Sequence, residues 1–562
     1  MLVADYVAKF IKKQKIYELF MLTGYGAMYL NDAIAKENIK YYATRNEATA
    51  PIMAAAYGRS NKSKLGIACV TAGPGATNAV PGLAEAFVDS SPIVVFSGQV
   101  DRRHTTISTN LKNIRTFGTA EINIIPIVKP LTKYAVSIKN EKEIKYVLEK
   151  AFYEARNGRP GPVWIDIPLD IQNKKIIPSK LKSFLKPKKF KNNLKKINKS
   201  VQEIVYRVNS AKKPLIICGQ GVKISNTFKQ IYNISKKKNI PIFFTRAAQD
   251  ICSHKKNNIL GQGGVKGTKY CKRIMTQSDL VISFGCRMAP QFAGHDFEAF
   301  KNAEVIMVDI EKDELSKKGI RIQQKINCDL KDLIPVLSKK ILKEKKINFK
   351  KWSRYCNLLK KEKIEYSQKN KNPIDLYYFM DQLGKYSQKN DILVTDAGSN
   401  YYVGGQVWKF EKGQKEITSI TNAAMGLSIP LSIGAAIGNK KSRIIAVTGD
   451  GSLELNIQEL KTMSHYNLNI KLFVINNGGY VSMHNWADNF FDGRRVDDPE
   501  KTGEGTLNLK KVAEAFDLEY YKIYDYKKIK KDLSNIFKEK KPIFVEVITD
   551  NMQKIFDAFN DR

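Results

Sequence analysis

Two short stretches late in the chain carry residues able to hold a hard cation and a phosphate. Gly449-Asp450-Gly451 closes the apolar run RIIAVT, and Asn476-Asn477-Gly478-Gly479 closes the run KLFVI. Open α/β sheets place ligands beyond the carboxyl ends of their strands. Asp450 offers a carboxylate oxygen and Asn477 an amide oxygen. The glycines after Asn477 let a main-chain carbonyl, that of Gly479, approach a ligand. Gly451 and Ser452 begin a predicted helix, where free N–H groups face anions. One carboxylate, one amide and one carbonyl leave room for two phosphate oxygens and a water, which completes an octahedral magnesium shell. A Gly-Asp-Gly triplet alone is a weak signal. The strand-plus-triplet, followed 27 residues after Asp450 by a strand ending in Asn477, is far more specific than a βαβ unit with turn glycines requires.

A second candidate lies near the start of the chain. Glu47 sits in ATRNEATAPIMAAAYGR, before an Ala-rich predicted helix. A lone Glu is ordinarily solvated, but beside a close-packing helix its burial is expected. Downstream, Gly73-Pro74-Gly75 forms a tight turn after the run LGIACVT at 65–71, and Asn78 follows one turn later.

The elements that would position these residues come in three blocks. Apolar runs at 65–71, 92–98 and 163–168 mark strands in the first. Runs at 214–221, 280–285 and 305–310 mark the second, and runs at 392–398, 443–451, 471–477 and 543–548 the third. Near-continuous apolar strands suit sheets covered on both faces, and alternation with helical patterns predicts parallel βαβ units. The expected fold is therefore α/β, with three doubly wound domains and mostly parallel sheets. The expected boundaries are 1–172, 201–341 and 373–562, joined by Lys-rich linkers at 173–200 and 342–372. A length of 562 residues suits about three domains.

The bulk chemistry narrows the class. Lys and Arg number 94 against 55 Asp and Glu, a net charge of +39. Such an excess can mark a nucleic-acid binder, but here it is spread along the chain, densest in the linkers, and reads as solvated surface. The seven cysteines form no CxxC pair, which points away from a disulfide framework or structural zinc and toward a reducing cytoplasm. The first fifteen residues read as an amphipathic helix rather than a signal peptide. No apolar run is long enough to span a bilayer.

These stretches together resemble the thiamin-diphosphate-dependent, acetolactate-synthase-like family. The resemblance is strongest in GDGSLELNIQELKTMSHYNLNIKLFVINNGGY and in TAGPGATNAVPGLAEAFVDSSPIVVFSGQV, and diffuse in the middle block. It implies pyrimidine-binding, middle and diphosphate-binding domains in that order. DAGSNYY at 396–402 resembles the diphosphate loop, which implies contacts from Gly398, Ser399, Asn400 and Tyr401. NAAMGLSIP at 422–430 resembles the segment that folds the cofactor, with Met425 wedged between its rings and the Ala423 carbonyl accepting from the 4′-amino group. Taken alone, Met425 is a common gap-filler of cores. Glu47 would hydrogen-bond N1′ of the aminopyrimidine and so promote proton removal from C2. Tyr25, in Gly24-Tyr25-Gly26, would face the cofactor, with Pro74 and Asn78 near the reaction centre. Asp450, Gly451, Ser452, Asn477, Gly479 and Tyr480 would bind the diphosphate, with magnesium on Asp450, Asn477 and Gly479.

The same resemblance implies decarboxylation of a 2-oxo acid, pyruvate above all, with transfer of the two-carbon unit to an acceptor carbonyl. A plain decarboxylase or an oxidase is the alternative on this fold. It also implies a homodimer or homotetramer, because the cofactor spans the first domain of one chain and the third of its partner. Several residues depart from acetolactate synthase. The segment between Gln99 and Glu121 is long, Thr119-Ala120-Glu121 replaces Phe-Gln-Glu, Arg287 to Gln291 replaces an Arg-Phe-Asp-Asp-Arg stretch, and Lys440-Lys441 stands where a proline is expected. These bear on the acceptor and on FAD, which LGQGG at 260–264 and FGCR at 284–287 could hold at strand ends. GAMYLNDA at 26–33 and the Asn489-Phe490-Phe491 stretch resemble a sugar-biosynthesis subgroup whose acceptor is a nucleotide ketosugar. Trp486, nine residues past Asn477, matches the acceptor-selecting Trp of acetolactate synthase. The default for such a residue is a buried aromatic.

Overall fold

The computed structural model describes residues 1–61, 65–187, 194–345, 347–362, 372–496 and 505–559. The apolar runs fold as three six-stranded sheets. The first holds β1 (Glu18–Met21), β2 (Lys40–Ala43), β3 (Gly66–Val70), β4 (Ile93–Gln99), β5 (Tyr134–Ser137) and β6 (Val163–Pro168). The second holds β7 (Pro214–Cys218), β8 (Ile242–Phe244), β9 (Ile259–Gln262), β10 (Leu280–Phe284), β11 (Glu304–Asp309) and β12 (Gln324–Asn327). The third holds β13 (Ile392–Thr395), β14 (Lys415–Thr418), β15 (Ile444–Gly449), β16 (Ile470–Asn476), β17 (Glu519–Ile523) and β18 (Ile543–Ile548). Every pairing among these strands is parallel, so the three α/β domains are as expected, and more uniformly parallel.

The first sheet runs β2-β1-β3-β4-β6-β5 and the third β14-β13-β15-β16-β18-β17, which is the same order repeated. The middle sheet, β12-β11-β10-β7-β8-β9, has the order of dinucleotide-binding folds. In the terminal sheets the order reverses between β1 and β3 and between β13 and β15, and these switch points open the crevices where such folds bind ligands.

Side-chain alternation divides each strand between two cores. Ile67 and Cys69 of β3 face the outer core of the first domain. Ala68 and Val70 face a core shared with Ile444 and Ala446 of β15 and Leu472 and Val474 of β16. The first and third domains therefore have one core in common. Through it run the helices Thr49–Ser60 and Ser428–Gly438, packed backbone to backbone. A Cβ at Gly434 would overlap the Met53 carbonyl, and one at Gly438 the Ser60 hydroxyl. The Ala-rich sequence of the first helix is what this close approach demands.

The Lys-rich stretches carry structure. The helix Leu194–Ser210 begins inside 173–200, with Ile197 and Val201 in the middle core and its lysines on the other face. The helix Lys350–Leu359 lies inside 342–372 and buries Trp352 and Cys356 in the same core. Lysine density there marks the solvent side of amphipathic helices. Residues 188–193, 346 and 363–371 of these stretches lie outside the described residues. Near the end of the chain, Ala558 and Phe559 return to the middle core. All seven cysteines are buried and unpaired. No described helix is long and apolar enough to cross a membrane.

Candidate active site

Asp396, Asp450 and Asn477 follow β13, β15 and β16, three adjacent strands at the third sheet's switch point. One oxygen of Asp450 accepts from the N–H groups of Asn477, Gly478 and Gly479 at 3.1, 2.9 and 3.0 Å. The other accepts from Gly451 N–H at 2.9 Å. The converging N–H groups require φ of 76° at Gly478 and 97° at Gly479, a left-handed conformation that glycine alone adopts freely. Burial pushes the Asp450 carboxyl above its ordinary range, and the four N–H groups pull the other way. Gly451 carries no side chain because the Tyr480 ring occupies that space. The donor set fits a hard cation with a diphosphate. It offers oxygen ligands, and among the described residues no group of three His, Cys, Asp or Glu side chains would complete a shell without phosphate and water.

Asp396 anchors the neighbouring loop. It is fully buried and accepts from the hydroxyls of Thr448 at 2.8 Å and Ser452 at 2.6 Å, and from Ala397 N–H at 2.8 Å. The Ser452 hydroxyl in turn accepts from Gly426 N–H at 2.8 Å, so Ser452 ties the 396–401 loop to the 422–426 loop. Gly398, with φ of 66°, opens the helix Gly398–Val407, whose first N–H groups suit an anion. Ser399 and Asn400 are buried in its first turn, and the Asn400 side-chain oxygen has no partner. The Tyr401 hydroxyl donates to the Ile420 carbonyl at 3.2 Å.

The 419–426 loop is held from the first domain. Asn422 donates to Glu85 at 2.9 Å, and Asp89 accepts the N–H groups of Ile420 and Thr421, both at 2.9 Å. Burial and the adjacent Asp89 charge push the Glu85 carboxyl up to about 7. These anchors hold Ala423 at φ 48°, a left-handed conformation costing about 1–3 kcal/mol for a residue with a Cβ. Met425 is half-buried, which a plain core methionine would not be.

Glu47 is half-buried rather than buried. Its Oε2 accepts from the Asn78 amide at 2.7 Å. Gly75 stands beside it, where a Cβ would come within 3.3 Å of Oε1. On either side of Glu47, Arg45 N–H and the Thr49 hydroxyl donate to the fully buried Glu459 of the third domain at 2.8 and 2.7 Å. Pro74 and Asn78 are exposed in the single chain, and Tyr25 is 68% exposed on the turn Tyr25–Ala27. Gly24 and Gly26 let that turn lie against Thr71 and Ala72. The Ala120 carbonyl packs on Gly73, so the long segment before Glu121 folds onto the Gly73-Pro74 turn.

Trp486 is not the buried aromatic that its type suggests. It is 60% exposed on the helix Val481–Phe490, its ring 5.3 Å from that of Phe490. It lines a cavity of about 1080 Å³ where the middle and third domains meet, with Ser90 and Arg159 of the first domain also on its wall, together with Arg246, Met288, Tyr401 and Ala423. Gln262 and Gly263, and residues 285 to 289, line it too, so both strand-end stretches singled out for a nucleotide open onto one space. The sequence reading did not single out Asp396, Glu85, Arg246 or Glu459. For Asp396 a signal existed, an acid at the end of an apolar strand; the others are defined by partners far along the chain.

Comparison with known proteins agrees with this architecture. Residues 1–122 match the thiamine pyrophosphate enzyme N-terminal TPP binding domain, 201–337 the central domain and 396–547 the C-terminal TPP binding domain. The chain is 29% identical to the acetolactate synthase large subunit of Lactococcus lactis subsp. lactis (strain IL1403), over 98% of this chain and 92% of that protein. It is 29% identical to the probable acetolactate synthase large subunit of Methanococcus aeolicus, over 97% and 92%. It is 30% identical to the acetolactate synthase large subunit of Buchnera aphidicola subsp. Schizaphis graminum (strain Sg), over 87% and 85%. With the three domains matched in order and the likeness running nearly end to end, the chain belongs to the thiamin-diphosphate-dependent enzymes of the acetolactate-synthase type.

Proposed function

We propose that this enzyme decarboxylates a 2-oxo acid, pyruvate in the first instance, and transfers the two-carbon unit to an acceptor carbonyl. The observation that carries the reading is the Asp450 carboxylate bound into the Asn477–Gly478–Gly479 loop at the third sheet's switch point. Asp450, Asn477 and the Gly479 carbonyl would hold magnesium, and Gly398, Ser399, Asn400, Tyr401, Gly451, Ser452 and Tyr480 would surround the diphosphate. The chemistry supplied by bound thiamin diphosphate is a nucleophilic C2 and an electron sink for decarboxylation.

The chain's own residues do the rest. Glu47 would share a proton with N1′, its carboxylate aimed by Asn78. The strained Ala423 would present its carbonyl to the 4′-amino group while Met425 keeps the rings folded together. Tyr25, Pro74 and Asn78 are exposed in one chain and would close over the cofactor of a partner, giving a homodimer or homotetramer with sites at the interface. We read the basic surface as solvated and not as a nucleic-acid interface. The unpaired buried cysteines suit a cytoplasmic enzyme.

The test is incubation with labelled pyruvate, with and without thiamin diphosphate and magnesium. Carbon dioxide release only with both supports the reading, and release without them removes it. Adding pyruvate, 2-oxobutyrate or a nucleotide ketosugar as acceptor separates ligation from plain decarboxylation, and oxygen uptake identifies an oxidase. One observation favours a flavin as a second cofactor: the interdomain cavity opens at the ends of β7, β10 and β11, in a sheet of dinucleotide-binding order. A yellow chromophore retained on purification supports it.

A further inference from the structure

We propose that Arg246 of the middle domain is a positioning residue for the diphosphate loop; the proposal rests on the thiamin diphosphate reading above. Arg246 lies just beyond β8 and is 7% exposed. One terminal nitrogen donates to the Tyr401 carbonyl at 2.8 Å. The other lies 2.6 Å from Glu416 Oε1 and 3.3 Å from the Thr395 hydroxyl. The guanidinium carbon sits 4.5 Å from the centre of the Tyr401 ring. Thr395 immediately precedes Asp396 and Tyr401 immediately follows Asn400, so one side chain grips both ends of the 396–400 loop.

The grip is itself fixed from behind. Gln249 donates to Glu416 at 2.7 Å, and Glu416 N–H donates to Asp250 at 3.0 Å. Asp250 also pairs with Lys223 at 2.6 Å. Space for the grip is cut from the loop's own helix, because a Cβ on Gly405 would overlap Arg246 Nη1 and Gln262 Oε1. Toward the cavity the picture is different. Arg246 Nε and Gln262 Oε1 are buried without partners, and both residues line the cavity. The guanidinium thus commits its two terminal nitrogens to Tyr401, Thr395 and Glu416, while Nε is buried without a partner.

Stability does not account for this arrangement. A buried ion pair gains little over an apolar pair of the same shape, because desolvation offsets the attraction. What an arginine adds is a rigid planar fork that fixes the direction of several acceptors at once. The loop it fixes is the one expected to meet the diphosphate.

The test uses the full-length protein and measures thiamin diphosphate affinity by calorimetry with magnesium present. Arg246→Met combined with Glu416→Gln removes both charges without leaving one unpaired. It is expected to melt within about 5 °C of wild type but to bind thiamin diphosphate at least about tenfold more weakly, with a raised cofactor KM and a smaller change in kcat. Arg246→Lys, which keeps charge but not the fork, should fall between. Gly405→Ala, which displaces the guanidinium and leaves the charges in place, should also weaken binding, and it decides the matter should the double variant not fold. Wild-type affinity in a folded double variant, or in Gly405→Ala where that variant decides, overturns the proposal. No binding by the wild-type protein would remove the functional reading itself, an outcome distinct from an unchanged variant.

Discussion

Asn78 donates its side-chain amide to Glu47 Oε2 at 2.7 Å, from the short helix that follows the Gly73 turn. The bond spans two separate segments of the first domain and fixes which way the carboxylate points. A carboxyl that exchanges a proton with a ring nitrogen must be both present and aimed.

Glu47→Gln keeps the shape and the Asn78 contact surface but cannot exchange the proton. It is expected to lose about 100-fold or more of the decarboxylation rate, with an unchanged melting temperature because Glu47 is half-exposed. Asn78→Ala removes only the aim and should cost about tenfold. Steady-state carbon dioxide release and circular dichroism melts check both; full activity in Glu47→Gln excludes the assigned role.

Asp450→Ala would remove the acceptor shared by four N–H groups. Each donor left without a partner costs about 1–3 kcal/mol when buried, so urea unfolding should show a loss of at least about 2 kcal/mol. Asp450→Asn keeps one acceptor oxygen for the 477–479 loop and should be closer to wild type in stability. Both variants should lose magnesium-dependent binding of thiamin diphosphate in calorimetry. Retained binding in both would move the cation site elsewhere.

These expectations draw unevenly on the sequence. β3, β4, β15 and β16 were legible because they are buried on both faces and read as unbroken apolar runs. β2, β5, β12 and β17 were not, since they lie at sheet edges and carry Lys, Tyr and Glu on partly exposed faces. β8, only three residues long, gives too short a run to stand out. The meeting of Asp450 with the 477–479 loop was legible because the two follow adjacent strands of one βαβ unit. Glu85 and Arg246 were not, because what defines them lies across the chain: Asn422 is 337 residues from Glu85, and Tyr401 is 155 from Arg246. The shared core of the first and third domains was hidden for the same reason.

The Glu85–Asp89 pair makes stability depend on pH. Burial and the Asp89 charge raise the Glu85 carboxyl to about 7 in the folded chain, from an ordinary 4.5. The folded state therefore favours the proton. Its contribution is fully present below about pH 4.5 and is lost as pH rises through about 7. The charged and polar groups facing Glu85 are Asp89, Ser419 and Asn422, with Arg59 3.8 Å from Asp89. Glu85→Gln stays neutral at every pH. Urea unfolding at pH 5 and pH 8 should show the variant gaining on wild type at the higher pH. Parallel curves for the two proteins would show that Glu85 does not titrate in this range.

Trp486 offers a test of acceptor choice that is separable from decarboxylation. Its ring is 60% exposed and packs on Phe490, so Trp486→Ala should change stability by no more than about 0.5 kcal/mol. It shares the interdomain cavity with Ala423 but lies outside the Glu47 and Asp450 clusters. Decarboxylation of pyruvate without added acceptor should therefore proceed at close to the wild-type rate. An exposed aromatic face in contact with a ligand contributes about 0.5–1.5 kcal/mol beyond its area. That is enough to shift the product ratio from competing pyruvate and 2-oxobutyrate several-fold. The measurement is that ratio, read by mass from one reaction mixture with both acceptors present. A ratio unchanged in a folded, active variant places the acceptor away from Trp486, and then the residues of the Gln99–Glu121 segment packed on Gly73 become the ones to substitute next.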